Sequence, residues 1–264
     1  MRNLFEVAKN LKYMYATDLT DAQYEFIINS LGIKPRKRKH ELKEIFNAIF
    51  YLVKTGCQWR MLPKEYPKWE LVYYYYAQWN ENGSFDILLD RVRGKARINK
   101  EQNENPTLGV MDSQTVRSAN RMALKSVDGN KKIKGRKRHV VVDKNGWLVT
   151  VMVCVAHIHD SKAAVLLMRK VKESIMGLKL IVADGGYRGE LIEYVKKIFG
   201  YVIQIVMRSD GVKEFKPLPV RWVVERTFSW FDNDRRLCRD YELLAESSEA
   251  MIKIAVIKML LKKI

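Results

Sequence analysis

The apolar residues of this chain change their spacing once, and that change constrains the fold more than any other feature. Up to about residue 98 they recur at helical spacing. Tyr24, Ile27, Ile28 and Leu31 fall on one helix face, introduced by a Thr20/Gln23 capping box and ended by Gly32. Leu42, Ile45, Phe46, Ile49 and Val53 form a second stripe that stops at Gly56. A third stripe is Trp69, Val72, Tyr73, Tyr76 and Trp79, stopping near Asn82-Gly83, and a fourth is Phe85, Leu88, Leu89 and Val92. Short helices with short loops and a basic connector, Lys34 to Lys39, suit a small all-α, helix-turn-helix-like DNA-binding domain over residues 15–98, and the same stripes would serve any small helical bundle. Tyr74 and Tyr75 project off the apolar stripe of the third helix, within reach of a bound partner.

A charged stretch from Lys95 to Pro106 reads as a linker, after which strands take over. Leu108 to Met111 is a short apolar strand running into Asp112. His139 to Asp143 and Trp147 to Val155 are β-branched strands around Asn145-Gly146, a hairpin signal. A helix follows from Ser161 to Ile175, capped by Asp160 or Ser161. Next come a buried strand, Leu178 to Ala183, running into Asp184, a helix from Leu191 to Phe199, and a strand from Tyr201 to Val206. Past Pro217 and Pro219 a helix begins near Val220, and an amphipathic helix begins near Ser248. Three strands, helix, strand, helix, strand, helix is the order of an RNase H-like fold. It predicts an α/β domain over residues 105–264, with a mixed sheet and flanking helices. In open α/β sheets the site lies at the carboxyl ends of strands.

Charge narrows the partner. With 48 Lys and Arg against 30 Asp and Glu, the net charge is +18, and neutralising phosphates drives such a chain onto nucleic acid. Nine of those cations fall between Arg117 and His139 against one Asp, so Lys131, Lys132, Lys134, Arg136, Lys137 and Arg138 are expected to track DNA beside the site. Three scattered cysteines (Cys57, Cys154, Cys238) make neither a disulfide framework nor a thiolate metal site. No apolar run reaches the roughly 18 residues of a membrane span, and a cytoplasmic, nucleoid-associated protein is expected. His157-Ile158-His159-Asp160 lacks the further ligands of a zinc site.

Phosphoryl transfer with two divalent ions needs hard oxygen ligands. Asp112, in Val110-Met111-Asp112-Ser113-Gln114, and Asp184, in Ala183-Asp184-Gly185-Gly186-Tyr187, both stand at strand ends. Glu225 stands on the helix Arg221-Trp222-Val223-Val224-Glu225-Arg226. Singly, each has a plain structural explanation: a cap or turn for the aspartates, an ion pair with Arg221 for Glu225. Together and in this order they are more specific.

These segments, with Lys131 to His139 and the N-terminal run Thr55-Gly56-Cys57-Gln58-Trp59-Arg60-Met61-Leu62-Pro63, resemble the DDE transposases of the insertion-sequence-five family, from about Tyr15 to Glu242. The resemblance implies an RNase H-like catalytic domain and a divalent metal, Mg2+ with Mn2+ able to substitute. It also implies Asp112, Asp184 and Glu225 as the metal-binding catalytic carboxylates, with Arg221 steadying phosphate or Glu225. The expected partners are double-stranded DNA, both the terminal inverted repeats and the target, and a second copy of the chain pairing two ends. A Tyr and a Lys found near this Glu in neighbouring families are replaced by Leu218 and Asp232, and Arg235 and Arg236 are the candidate substitutes for the Lys. The rival readings are an RNase H-like nuclease that only cleaves, and a catalytically inactive DNA-binding descendant.

Overall fold

Local signals set the ends of the first helices. The computed structural model describes residues 15–187, 189–206 and 222–264. Helix α1 (Asp21–Ser30) starts in the expected capping box: Thr20 Oγ1 accepts from the Gln23 amide, and Gln23 Oε1 accepts from the Thr20 amide. Helix α2 (Leu42–Thr55) ends on Gly56, whose φ of 71° is left-handed. A Cβ at Gly56 would also lie 3.1 Å from the Cβ of Arg235, so glycine serves both the cap and a close approach. Helices α3 (Trp69–Glu81) and α4 (Ser84–Ile98) complete the N-terminal region.

Helix α4 reaches into the stretch expected to be a linker. Two of its arginines point inward: Arg93 Nη1 donates to the carbonyl of Leu148 at 3.2 Å, while Arg97 pairs with the buried Asp143 and donates to the Asn103 carbonyl at 2.8 Å. Their charge reads as solvated in sequence but is neutralised against the sheet.

The sheet comprises β1 (Leu108–Arg117), β2 (Ser126–Asp128), β3 (Ile133–Val142), β4 (Leu148–Val155), β5 (Leu180–Ala183) and β6 (Val202–Ile205). In space the order is β4-β3-β1-β5-β6, with the short β2 beside the start of β3. β1, β3 and β4 are antiparallel, whereas β5 and β6 run parallel to β1. This is the mixed RNase H-like sheet expected from the element order. The hairpin turns at Asn145-Gly146, where Asp143 Oδ1 accepts from the amides of Asn145 and Trp147 at 2.8 and 2.9 Å. Three strands differ from expectation, and the first of them, β3, starts at Ile133 rather than His139. β1 continues through Asp112 to Arg117, because β3 pairs with it all the way from Val110 to Arg117. β2 is short and has too little apolar content to be seen in sequence.

Helices α5 (Asp160–Ser174) and α6 (Glu190–Phe199) cover one sheet face, packing Leu167, Met168, Val171 and Val195 with Met111, Val141 and Ile181. On the other face lie α7 (Trp222–Asp232) and α8 (Ala245–Leu260). Helix α7 is described from Trp222, and the expected start near Val220 lies outside the described residues. Helix α8 is buried on nearly every side rather than amphipathic. Its polar positions are neutralised by partners: Glu249 by Lys170 at 2.5 Å, and Lys253 by Asp86 at 2.7 Å. A helix apolar all round must lie inside a core. One continuous cluster joins Ile45, Phe46, Ile49, Leu88 and Val92 of the N-terminal helices to Ile252, Ile254 and Val256 of α8 and to Val110 and Val140 of the sheet. No helix among the described residues is long and apolar enough to cross a membrane.

Because α8 supplies much of the surface against which α2, α3 and α4 pack, residues 15–98 expressed alone are expected to lack a cooperative thermal transition in circular dichroism. A sharp melt of that fragment would show that its core closes without α8.

Candidate active site

Strand register brings the two aspartates together. β1 and β5 pair in parallel as Leu108 with Leu180, Gly109 with Ile181 and Val110 with Val182. Two residues further along the same register, Asp112 comes level with Asp184, just past the point where the parallel ladder stops. Each carboxylate is steadied by a nearby amide: Asp112 Oδ1 accepts from Ser113 N at 2.7 Å, and Asp184 Oδ1 from Gly186 N at 2.9 Å. After Asp184 the chain makes a tight 3-10 turn, Gly185–Tyr187. A Cβ at Gly186 would stand 3.1 Å from Asp184 Oδ1 and 3.7 Å from Asp160 Oδ2, so a side chain there would crowd the carboxylates. Beneath the turn, the Tyr187 ring is 1% exposed. Burial, and then the nearby charges of Asp160, Asp112 and Asp184, raise its phenol well above the ordinary value.

Glu225 lies on the exposed side of α7, which packs against β1 and β3. The helix is pinned in rotation by Thr227, whose hydroxyl donates to the Gly146 carbonyl at 2.8 Å, and by Val224 and Phe228 in the core. Arg226 adds a second anchor. It donates to the Asn145 carbonyl at 2.9 Å and lies between the rings of Trp222 and Trp230, 4.5 and 4.8 Å from their centroids. Arg221, expected beside Glu225, lies outside the described residues. Among the described residues, no three acidic, histidine or cysteine side chains are gathered closely enough to hold a single ion. The donors are nonetheless hard carboxylate oxygens, the type that Mg2+ and Mn2+ take. A pair of ions can be shared among three carboxylates without all three meeting on one.

The basic run divides sharply. Lys131, Lys132 and Lys134 are exposed, as expected of residues that meet DNA. Arg136, Lys137 and Arg138 are 2%, 7% and 2% exposed, so the expectation that they line a DNA track does not match their placement. The physical reason is that β3 is an interior strand, paired with both β1 and β4, so its side chains enter the two packed faces alternately. Arg136 ties down the segment that leads into α8, donating to Asp240, to Ser248 Oγ and to the carbonyls of Glu242, Leu243 and Leu244. Lys137, on the opposite face, pairs with Asp160 at 3.0 Å. Arg138 is wholly buried, and that burial pulls its guanidinium down to about 10. Arg236 is similarly structural, held 2.8 Å from Glu242 Oε1 and 3.1 Å from the Cys57 carbonyl, while Arg235 stays exposed.

Among the described residues, no three metal-ligating side chains gather around His157 and His159. His159 itself, not Asp160 or Ser161, caps α5 by accepting from the Ser161 amide. Sequence reasoning placed Lys137 and Asp160 near the site but did not single out Ser113 and Tyr187 as neighbours of the aspartates. The available signal was position: Ser113 and Tyr187 each sit within three residues of a strand-end aspartate.

Residues 103–258 match the family model described as "Transposase DDE domain", and the chain belongs to that family. Residues 19–89 match the model described as "Putative transposase of IS4/5 family", and the chain is accordingly a DNA transposase. A search of curated proteins found no match. A solved structure titled "Mos1 transposase paired-end complex with left transposon end" aligns at 10% identity over 75% of this chain and 80% of that one. Its TM-score is 0.26, too low to support any further comparison.

Replacing Arg136 with Ala would leave the buried Asp240 charge without its cation. Breaking a buried pair in this way costs about 3–5 kcal/mol. A denaturant midpoint lowered to that extent is expected, and a midpoint equal to wild type would remove Arg136 from the core framework.

Proposed function

We propose that the protein cuts the ends of a bacterial insertion sequence and joins them to target DNA, using Asp112, Asp184 and Glu225 to hold a pair of Mg2+ ions, with Mn2+ able to replace them. The observation that carries this reading is the β1/β5 register, which sets Asp112 level with Asp184 beside the helix bearing Glu225. When bound, the ions polarise the attacking and leaving oxygens of the scissile phosphate. Asp112, on the strand between β3 and β5, would hold the ions together with Asp184 and Glu225. Gly185 and Gly186 leave the rim of the site without side chains, so a phosphate backbone can approach closely. In the first step a water oxygen bonds to phosphorus and the 3′ oxygen leaves with a proton. In the second, that 3′-hydroxyl attacks a target phosphodiester and displaces its 3′ oxygen. Neither step calls for a covalent bond to the protein.

The exposed Lys131, Lys132 and Lys134, together with Arg235, are proposed to contact phosphates, and Arg221 to steady phosphate or Glu225. The N-terminal helices are proposed to bind the terminal inverted repeats, and two copies of the chain to pair two ends. The site of action is the cytoplasm, on nucleoid DNA.

The direct test uses the full chain, Mg2+ and DNA carrying the ends of the element that encodes it. Asp112→Asn, Asp184→Asn and Glu225→Gln are each expected to abolish cutting while leaving end binding in metal-free buffer intact. Any one of them that cuts at the wild-type rate removes its residue from the site. Joining of a pre-cut 3′-hydroxyl end to a second DNA separates a transposase from a nuclease that only cleaves.

Replacing Lys131, Lys132 and Lys134 together with Ala should weaken binding to all sequences alike, since cations on phosphates position DNA without reading it. The slope of log affinity against log salt should flatten by up to about 2.7, at about 0.9 for each phosphate no longer neutralised. An unchanged slope in the folded triple variant would assign these lysines to solvent alone.

A further inference from the structure

Behind the paired aspartates lies a polar cluster that the reaction described above does not use. The Lys137 ammonium, largely buried, donates to Asp160 Oδ1 at 3.0 Å and to the Ile158 carbonyl at 3.1 Å. The same Asp160 Oδ1 accepts from Ser113 Oγ at 3.1 Å. Ser113 is the residue whose amide donates to Asp112. On its other side, Asp160 Oδ2 and Asp184 Oδ1 both come within 4 Å of the point that a Gly186 Cβ would occupy. The buried Tyr187 hydroxyl lies close to all three aspartates. Asp160 thus stands where the β1/β5 ladder stops, tied to one catalytic carboxylate through Ser113 and close to the other across Gly186.

We propose that Asp160 is a positioning residue that holds the Asp112 and Asp184 carboxylates ready for a divalent ion, with Lys137 as its counter-charge. The proposal rests on the reading of Asp112 and Asp184 as metal ligands. Two carboxylates set side by side repel each other, and the spacing a metal requires has to be maintained by their surroundings before the ion arrives. Asp160 does this through neutral contacts, because Lys137 cancels its charge and spares the pair a third negative neighbour. The salt bridge also gives the two partners opposite effects on a cation. Without the Asp160 charge, a buried ammonium is left facing the metal site. Without Lys137, an additional unneutralised carboxylate faces it instead.

The test measures Mn2+ binding to the full chain by calorimetry, without DNA, for wild type and for Asp112→Asn, Asp160→Asn and Lys137→Met. Asp112→Asn is expected to lose the site. Asp160→Asn should bind Mn2+ about tenfold more weakly, the lower end of what loss of an outer-sphere partner does to metal affinity. Lys137→Met should bind at least as tightly as wild type, a direction that simple loss of packing would not produce. Wild-type affinity in Asp160→Asn, or weakened affinity in Lys137→Met, overturns the proposal. If Asp112→Asn still binds Mn2+ normally, the metal-ligand reading fails and this proposal fails with it. If Asp112→Asn loses the site and Asp160→Asn does not weaken it, only this proposal fails. Should Asp160→Asn not fold, as judged by its thermal melt, Lys137→Met alone decides, unchanged or tighter binding supporting the proposal and weaker binding overturning it.

Discussion

The double pairing of β1 is the constraint on which the rest of the molecule depends. One edge of this strand bonds antiparallel to β3 from Val110 to Arg117, and the other bonds parallel to β5 for only three residues, Leu108 to Val110. The long ladder holds β1 straight through Asp112, while the short one ends just before Asp112 and Asp184. Beyond that end the strands are no longer bonded to each other, and two carboxylates can stand level at the mouth of the sheet. A parallel ladder extended by two more residues would commit the backbone around them to strand bonding and remove the Gly185–Tyr187 turn.

The two sheet faces divide the work. Over one face, α5 brings Asp160 to the strand ends, where it meets Lys137 and Ser113. Over the other, α7 carries Glu225 and is anchored to the β3–β4 hairpin through Thr227 and Arg226. The same hairpin is tied back to α4 by the buried Arg97–Asp143 pair. A chain of contacts therefore runs from the N-terminal helices through Asp143 and the Asn145-Gly146 turn to the helix of the third carboxylate. Paired charges of this kind add little to stability against a hydrophobic alternative, but losing one partner is costly, so they hold their elements in a single register.

The fate of the cations shows how far sequence can mislead about exposure. Arg93, Arg97, Arg136, Lys137, Arg138 and Arg236 are all buried, against the ordinary expectation for Lys and Arg. For all but Arg138, acceptors are at hand from strand ends, helix starts and neighbouring carboxylates, and a guanidinium's several donors can satisfy many of them at once, as Arg136 does. Arg138 sits within the field of Asp240 and Asp232, with its Nε unpartnered among the described residues. In the linear chain Lys131 to Arg138 look like one basic patch. In the fold only Lys131, Lys132 and Lys134 at the turn keep that character.

Much of the architecture was legible because it is written in local terms. Thr20/Gln23 and Gly56 set helix ends through backbone hydrogen bonding within a few residues, Asn145-Gly146 makes its hairpin by dihedral preference, and the switch from helical to strand periodicity orders the sheet. Asp112, Asp184 and Glu225 stand beside strand and helix signals, but singly each also reads as a cap, a turn or an ion pair, and it is the resemblance to the transposase family that sets the three together. What the chain could not reveal alone was everything that depends on who lies opposite. The extension of β1 past Asp112 needs its partner β3. The burial of α8 needs the N-terminal helices, and the inward turn of Arg136 needs the carbonyls before α8, more than a hundred residues away. Asp160 becomes a neighbour of the aspartates only when α5 packs over the strand ends. Local hydrogen bonding and periodicity are properties of a few adjacent residues, whereas burial, pairing and charge compensation are set by contacts between distant ones, and those exist only once the chain has folded.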